Sequence, residues 1–110
     1  MNNLKILIKK IPKKKPNNLN LIIKYQSRLT ELAKNHNGYI SSESYFAYTY
    51  ENDYSPIYNI SNWKNHNSWI NWLNSPERKE IYNEYYNIIH KEKYYILSKR
   101  KNVDDDFFLL

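Results

Sequence analysis

A chain of 110 residues with no cysteine and a formal net charge of +6 has room for one hydrophobic core and for none of the chemistries that thiolates carry. Disulfides, thiolate zinc sites, iron–sulfur clusters and cysteine nucleophiles are excluded. The apolar run near the start, Ile6, Leu7 and Ile8, is too short for a secretory signal or a membrane span, so a soluble, cytoplasmic protein is expected. The basic balance attracts phosphates non-specifically. The residues in excess are Lys, Asn, Tyr and Ile, however, which is the mark of A- and T-rich codons rather than of a nucleic-acid site.

In chain order, Leu4 to Lys9 alternates, with Leu4, Ile6 and Ile8 on one face, and predicts a half-buried strand. Pro12 and Pro16 bracket Lys13, Lys14 and Lys15, a solvated loop. Asn17 or Asn18 can cap a helix whose stripe is Leu19, Ile22, Ile23, Leu29, Leu32 and Ala33, ending near Asn35–Gly38. Gly38, the single glycine, stands where a helix end needs a left-handed residue. Tyr39 to Tyr50 reads as a long strand, 51–56 as a turn, and Ile57 to Trp63 as the antiparallel return strand. Asn65 can cap a short helix carrying Trp69, Trp72 and Leu73. Ser75 and Pro76 then restart the chain as a second helical segment running to about His90, with Ile81, Tyr82, Tyr85, Ile88 and Ile89 on one side. Lys93 to Lys99 is the last strand, and 101–110 is an acidic, then apolar, tail outside the 1–100 domain.

The order β-α-β-β-α-β predicts an α+β, ferredoxin-like domain, a four-stranded antiparallel sheet with the helices on one face. Its last strand has bulky residues on both faces, Tyr94 and Ile96 on one, Tyr95 and Leu97 on the other. Helices cover only one face, so a homodimer joined through the sheet faces is expected, with the Phe107–Leu110 end a candidate for packing on the partner.

Many unrelated functions share that element order, and local residues narrow it. Asn37-Gly38-Tyr39-Ile40 resembles the turn before the second strand in the antibiotic biosynthesis monooxygenase family, where Pro usually replaces Asn37. The segment from Asn62 to Arg78 is similar to the family pattern of a Trp ending the third strand, an aromatic six residues on, a Trp at nine, then a Ser and often an Arg. Here these are Trp63, Trp69, Trp72, Ser75 and Arg78. The resemblance spans 4–99, with 62–82 its specific part, and it implies a dimeric α+β barrel.

The family includes cofactor-free oxygenases of aromatic polyketides, haem-degrading enzymes and small-molecule isomerases. The resemblance implies a cofactor-independent monooxygenase acting on a small aromatic or quinone-like molecule. Trp72 and Tyr82 are the catalytic candidates, and Trp63, Trp69, Trp72, Tyr82 and Arg78 the substrate-binding ones. For Trp72 a place in the plain core is the equal alternative, and Ser75 and Arg78 read first as a helix cap and a surface pair. The haem-degrading branch pairs an Asn on the first strand and the cavity Trp with an axial His ten residues later. Leu7 and Tyr82 stand at the Asn and His positions, so haem turnover is expected to be absent or slow. His36, His66 and His90 read as surface residues near helix ends, and no metal site is expected. A non-catalytic barrel that binds a small molecule or a protein is the second reading. An RNA-recognition domain is the third and ranks last, because one glycine cannot supply its glycine-bearing strand motif.

Overall fold

The computed structural model describes residues 3–13, 18–46 and 56–98. The elements are β1 (Leu4–Pro12), α1 (Asn18–Ala33), β2 (Tyr39–Phe46), β3 (Ile57–Trp63), α2 (His66–Leu73), α3 (Pro76–Tyr85), a 3-10 turn at Tyr86–Ile88, and β4 (Ile89–Leu97). All pairings are antiparallel and the strand order is β2-β3-β1-β4, the ferredoxin-like arrangement. The expectations for 14–17, the strand end and turn at 47–55, and 99–110 lie outside the described residues.

Strand parity sorts the sheet into two faces. Cross-strand partners share a face, so Leu4, Ile6, Ile8 and Lys10 lie with Trp63, Ser61, Asn59 and Ile57. This face is buried beneath the helices: β3 alternates strictly, with Ile57, Asn59, Ser61 and Trp63 buried. The opposite face carries Leu7, Ile60 and Tyr95 in one row and Lys9, Tyr58 and Lys93 in the next. The α1 stripe buries Ile22, Tyr25, Gln26, Leu29 and Ala33, at i, i+3, i+4, i+7 and i+11. Ile23, expected on that stripe, is 36% exposed, and Tyr25 and Gln26 take the inward positions instead.

The caps follow the sequence. Asn65 accepts the Ser68 N–H, Ser75 accepts the Arg78 N–H, and Pro76 opens α3. The end of α3 does not. The helix stops at Tyr85 rather than near His90, and β4 starts at Ile89 rather than Lys93. The reason is competition from the sheet. The Ile88 carbonyl accepts the Lys13 N–H at 2.8 Å and Ile89 pairs with Pro12, so β1, which itself runs on past Lys9, claims Ile89 as strand and leaves Ile88 in the 3-10 turn before it. His90 therefore sits on a strand and caps no helix.

Gly38 adopts φ +90°, and a Cβ there would overlap the Ser68 side chain. Gly38→Ala combines left-handed strain with that overlap and should cost roughly 2–4 kcal/mol. Urea unfolding of the variant should show a lower midpoint with an unchanged slope.

Candidate functional site

Three tryptophans and a set of polar side chains meet between the helices and the sheet. Trp63, at the end of β3, is 1% exposed; Trp69 and Trp72, on α2, are 7% and 6% exposed. Spacing of three residues turns Trp69 and Trp72 to neighbouring parts of one helix face, which lies over the end of β3. Trp72 stacks on Trp63 with centroids 6.4 Å apart and planes 21° from parallel. Tyr39 meets Trp63 edge-on at 5.5 Å, and His36 meets Trp72 edge-on at 4.8 Å. The Trp63 Nε1–H donates to Ser61 Oγ at 3.1 Å. The Trp69 Nε1–H is buried and has no acceptor among the described residues. Such a donor is costly to leave unmade, and its presence marks a place where a polar atom is wanted.

These rings wall a cavity of about 30 Å³, room for one or two waters. Its other walls are mixed: Ser42, Asn59 and Ser61 from the sheet, Gln26 and Thr30 with apolar Leu29 and Ala33 from α1, and Arg78 from α3. Ile8 and Lys10 of β1 and Glu92 of β4 complete it. Asn59 is held by its Nδ2–H donating to Ser44 Oγ at 3.1 Å. Arg78 donates from Nη1 to the Leu73 carbonyl at 3.2 Å, closing the end of α2, and from Nη2 to the Tyr94 hydroxyl.

Lys10 is the least expected member. It is 2% exposed, its Nζ donates to Gln26 Oε1, and it lies 4.9 Å from the centre of the Tyr25 ring. Gln26 Nε2 donates onward to Thr30 Oγ1 at 3.1 Å. Glu92 is the cross-strand partner of Lys10. Glu92 Oε2 accepts from the Tyr25 hydroxyl at 3.2 Å, while its Oε1 is buried with no partner among the described residues. Burial pulls the Lys10 ammonium down to about 8, reinforced by Arg78 and partly offset by Glu92. Burial and then Glu92 push the Tyr94 hydroxyl up to about 12, and raise Tyr25 as well.

Four of the residues singled out in the sequence, Trp63, Trp69, Trp72 and Arg78, line this one cavity. Tyr82 does not: it is 38% exposed and outside the lining. Its position follows from helix phase, because Ile81 and Tyr85 occupy the buried stripe of α3 and Tyr82 falls one step around. The haem-site positions do not converge either. Leu7 lies on the sheet face away from the helices, and the β1 side chains at the cavity are Ile8 and Lys10. His36 is also more than a surface residue, since it packs on Trp72 and its Nε2 lies 3.2 Å from Glu77 Oε2. Sequence reasoning overlooked Lys10, Gln26, Asn59 and Ser61, although alternation from Ile6 and Ile8, and from Ile57 and Trp63, points Lys10, Asn59 and Ser61 inward.

Two measurements probe the site. Trp72→Ala should cost about 3–5 kcal/mol of stability, the range for emptying a buried large aromatic, read by urea unfolding. The second is pH. Folded Lys10 loses its proton near pH 8, whereas the unfolded chain keeps it to about 10.5. Between these values the unfolded state binds more protons, so stability rises with pH. Above about pH 10 the raised Tyr25 and Tyr94 hydroxyls keep protons that the unfolded chain loses, and stability falls again. The unfolding midpoint should therefore climb from about pH 8 to about pH 10, and Lys10→Met should flatten the climb.

No protein-family model matches this chain, and no curated protein matches it. Solved structures do. SnoaB, a cofactor-independent oxygenase from Streptomyces nogalater, superposes with a TM-score of 0.68 at 12% identity, over 94% of this chain and 98% of SnoaB. An antibiotic biosynthesis monooxygenase structure gives 0.69 at 8% identity, over 89% and 99%. A conserved protein from Methanosarcina mazei Go1 gives 0.66 at 21% identity, over 88% and 94%. A Trp63–Trp72 cavity under a β2-β3-β1-β4 sheet is thus set in a chain that has, over nearly its whole length, the fold of the antibiotic biosynthesis monooxygenases.

Proposed function

We propose that this protein is a homodimeric, cofactor-independent monooxygenase that acts on a small aromatic or quinone-like molecule. The observation that carries the reading is the stacked Trp63–Trp72 wall facing Asn59, Ser61 and Arg78 across one buried space. Flat apolar rings beside a few fixed polar groups suit a planar molecule bearing oxygen atoms. SnoaB, which shares the fold, is a cofactor-independent oxygenase.

In such a reaction the substrate supplies the electrons. An anthrone-type CH₂ group loses a proton to give an enolate, which passes an electron to O₂, and the two radicals combine as a hydroperoxide. Loss of water leaves a new carbonyl, so one oxygen atom enters the product and the other leaves as water. The protein's part is to exclude water, fix the rings and hold the ionised oxygen. Trp63, Trp69 and Trp72 supply the walls in this reading, and Arg78 a cationic edge. Tyr82 lies outside the cavity and takes no step in it.

A cavity of about 30 Å³ has no room for an aromatic substrate as it stands, which favours a second reading, a non-catalytic barrel that binds a small molecule or a protein partner. Oxygen-electrode measurements with an anthrone separate the two. The first reading expects uptake with one quinone formed per O₂, and loss of uptake in Trp72→Ala. Binding without uptake by the unmodified protein sinks the catalytic reading and leaves the second.

Dimer formation is part of the same proposal. The sheet face away from the helices carries Tyr95, Leu97 and Tyr45, which are 44%, 38% and 49% exposed, around half-buried Leu7 and Ile60. Lys9 and Lys93 share this face, and in this reading its exposed apolar part, too large to leave in water, is what the second copy covers. Light scattering at micromolar concentration should give about twice the chain mass of 13.5 kDa, and Tyr95→Lys should reduce it to one chain. A monomer before substitution would remove the dimer. Among the described residues no helix is long and apolar enough to cross a membrane.

A further inference from the structure

A second space adjoins the cavity. Between α1 and β2 runs a groove of about 260 Å³, lined by Ile23, Ser27, Phe46 and Ile57 together with Gln26 and Thr30. Gln26 and Thr30, joined by a hydrogen bond, line both the groove and the inner cavity, and we take this pair as the partition between the two. Lys10 lies directly behind it. Ile57, in the groove wall, is the cross-strand partner of Lys10, and the Lys10 Nζ is held from the groove side by Gln26 Oε1. The groove is just below the size of pockets for drug-sized ligands, enough for one ring or two fused rings. Glu31, also in its wall, has its charge paired with Lys34 at 3.3 Å.

We propose that this groove is the entry and binding site for a small planar phenol or enol, and that its ionised oxygen displaces Gln26 Oε1 from the Lys10 ammonium. The side-chain carbonyl of Gln26 stands in the closed state for the ligand oxygen. Lys10 is buried with a neutral acceptor, and exchanging that acceptor for an anion returns to the ammonium what burial costs it. Moving Gln26 also breaks the partition, joining the groove to the tryptophan-walled cavity. The other titratable and charged groups acting on Lys10 or its ring neighbours are Glu92 and Tyr94 on β4, Tyr25 on α1 and Arg78 on α3. The inference rests on the reading of this region as a small-molecule site, but it requires no oxygen chemistry.

The test uses 4-nitrophenol, whose anion absorbs in the visible and whose neutral form does not. Titrated into the full chain at a pH where the free phenol is mostly protonated, it should bind and develop the anion band, because a neighbouring ammonium lowers its apparent pKa. Lys10→Met should lose the band and weaken binding about tenfold to a hundredfold. Gln26→Glu, which places a competing carboxylate beside Lys10, should remain folded by circular dichroism and bind no anion; it serves if Lys10→Met does not fold. Absence of binding, binding without the anion band, or an unchanged band in Lys10→Met or Gln26→Glu would each overturn the proposal. Anion binding without oxygen uptake from an anthrone would leave this site standing and remove only the oxygenase reading. Oxygen uptake that Lys10→Met leaves untouched would do the reverse.

Discussion

A lysine ammonium under a helix has to find acceptors or lose its proton, and the interior of this domain is arranged around the one at Lys10. Its place is fixed by β1, where period two carries Leu4, Ile6, Ile8 and Lys10 to the same face. Gln26 answers it from α1, Thr30 supports Gln26 one helical turn on, and Tyr25 sets a ring face against it. Across the strand pair Glu92 faces the same space and takes the Tyr25 hydroxyl. The polar half of the core is thus a connected set of side chains whose geometry no single element fixes.

The apolar half is organised by Trp63. It closes the β1–β3 ladder opposite Leu4, meets Tyr39 on β2, stacks on Trp72 of α2 and donates to Ser61. One ring therefore ties three strands to the helix layer. The cavity lies where the two halves meet, with aromatic rings on one side and hydrogen-bonding groups on the other. That pairing suits a planar, oxygen-bearing molecule better than a purely hydrophobic one.

Two buried atoms without a partner among the described residues, Trp69 Nε1 and Glu92 Oε1, are a donor and an acceptor on side chains that line the same cavity. Natural cores rarely tolerate such atoms without a compensating partner. Both lie on the wall that also carries the Gln26–Thr30 and Lys10–Gln26 hydrogen bonds. The α1–β2 groove shares Gln26 and Thr30 with that cavity, so α1 covers the core and forms one wall of the groove.

Much of the fold was written in the sequence, because its signals are local. Gly38, the Asn65 and Ser75 caps, Pro76 and the β3 alternation each mark a boundary through backbone or capping chemistry that neighbours cannot override. The tryptophan spacing from Trp63 to Trp72 placed three walls of the cavity. Where α3 ends was not local: Ile88 and Ile89 fit a helix stripe or a strand, and pairing with β1 made Ile89 a strand residue and left Ile88 in the 3-10 turn before it. Tyr82 failed as a cavity residue because ten residues from Trp72 cross the break at Ser75–Pro76, and the phase of α3 is set by burial of Ile81 and Tyr85. Period two turned Lys10 inward with Ile6 and Ile8, whereas Gln26 looked like an ordinary surface residue of a helix. The burial of Gln26, and the hydrogen bond that answers the buried Lys10, came only with the packing of α1 on the sheet, since a polar side chain enters a core when another element brings it a partner.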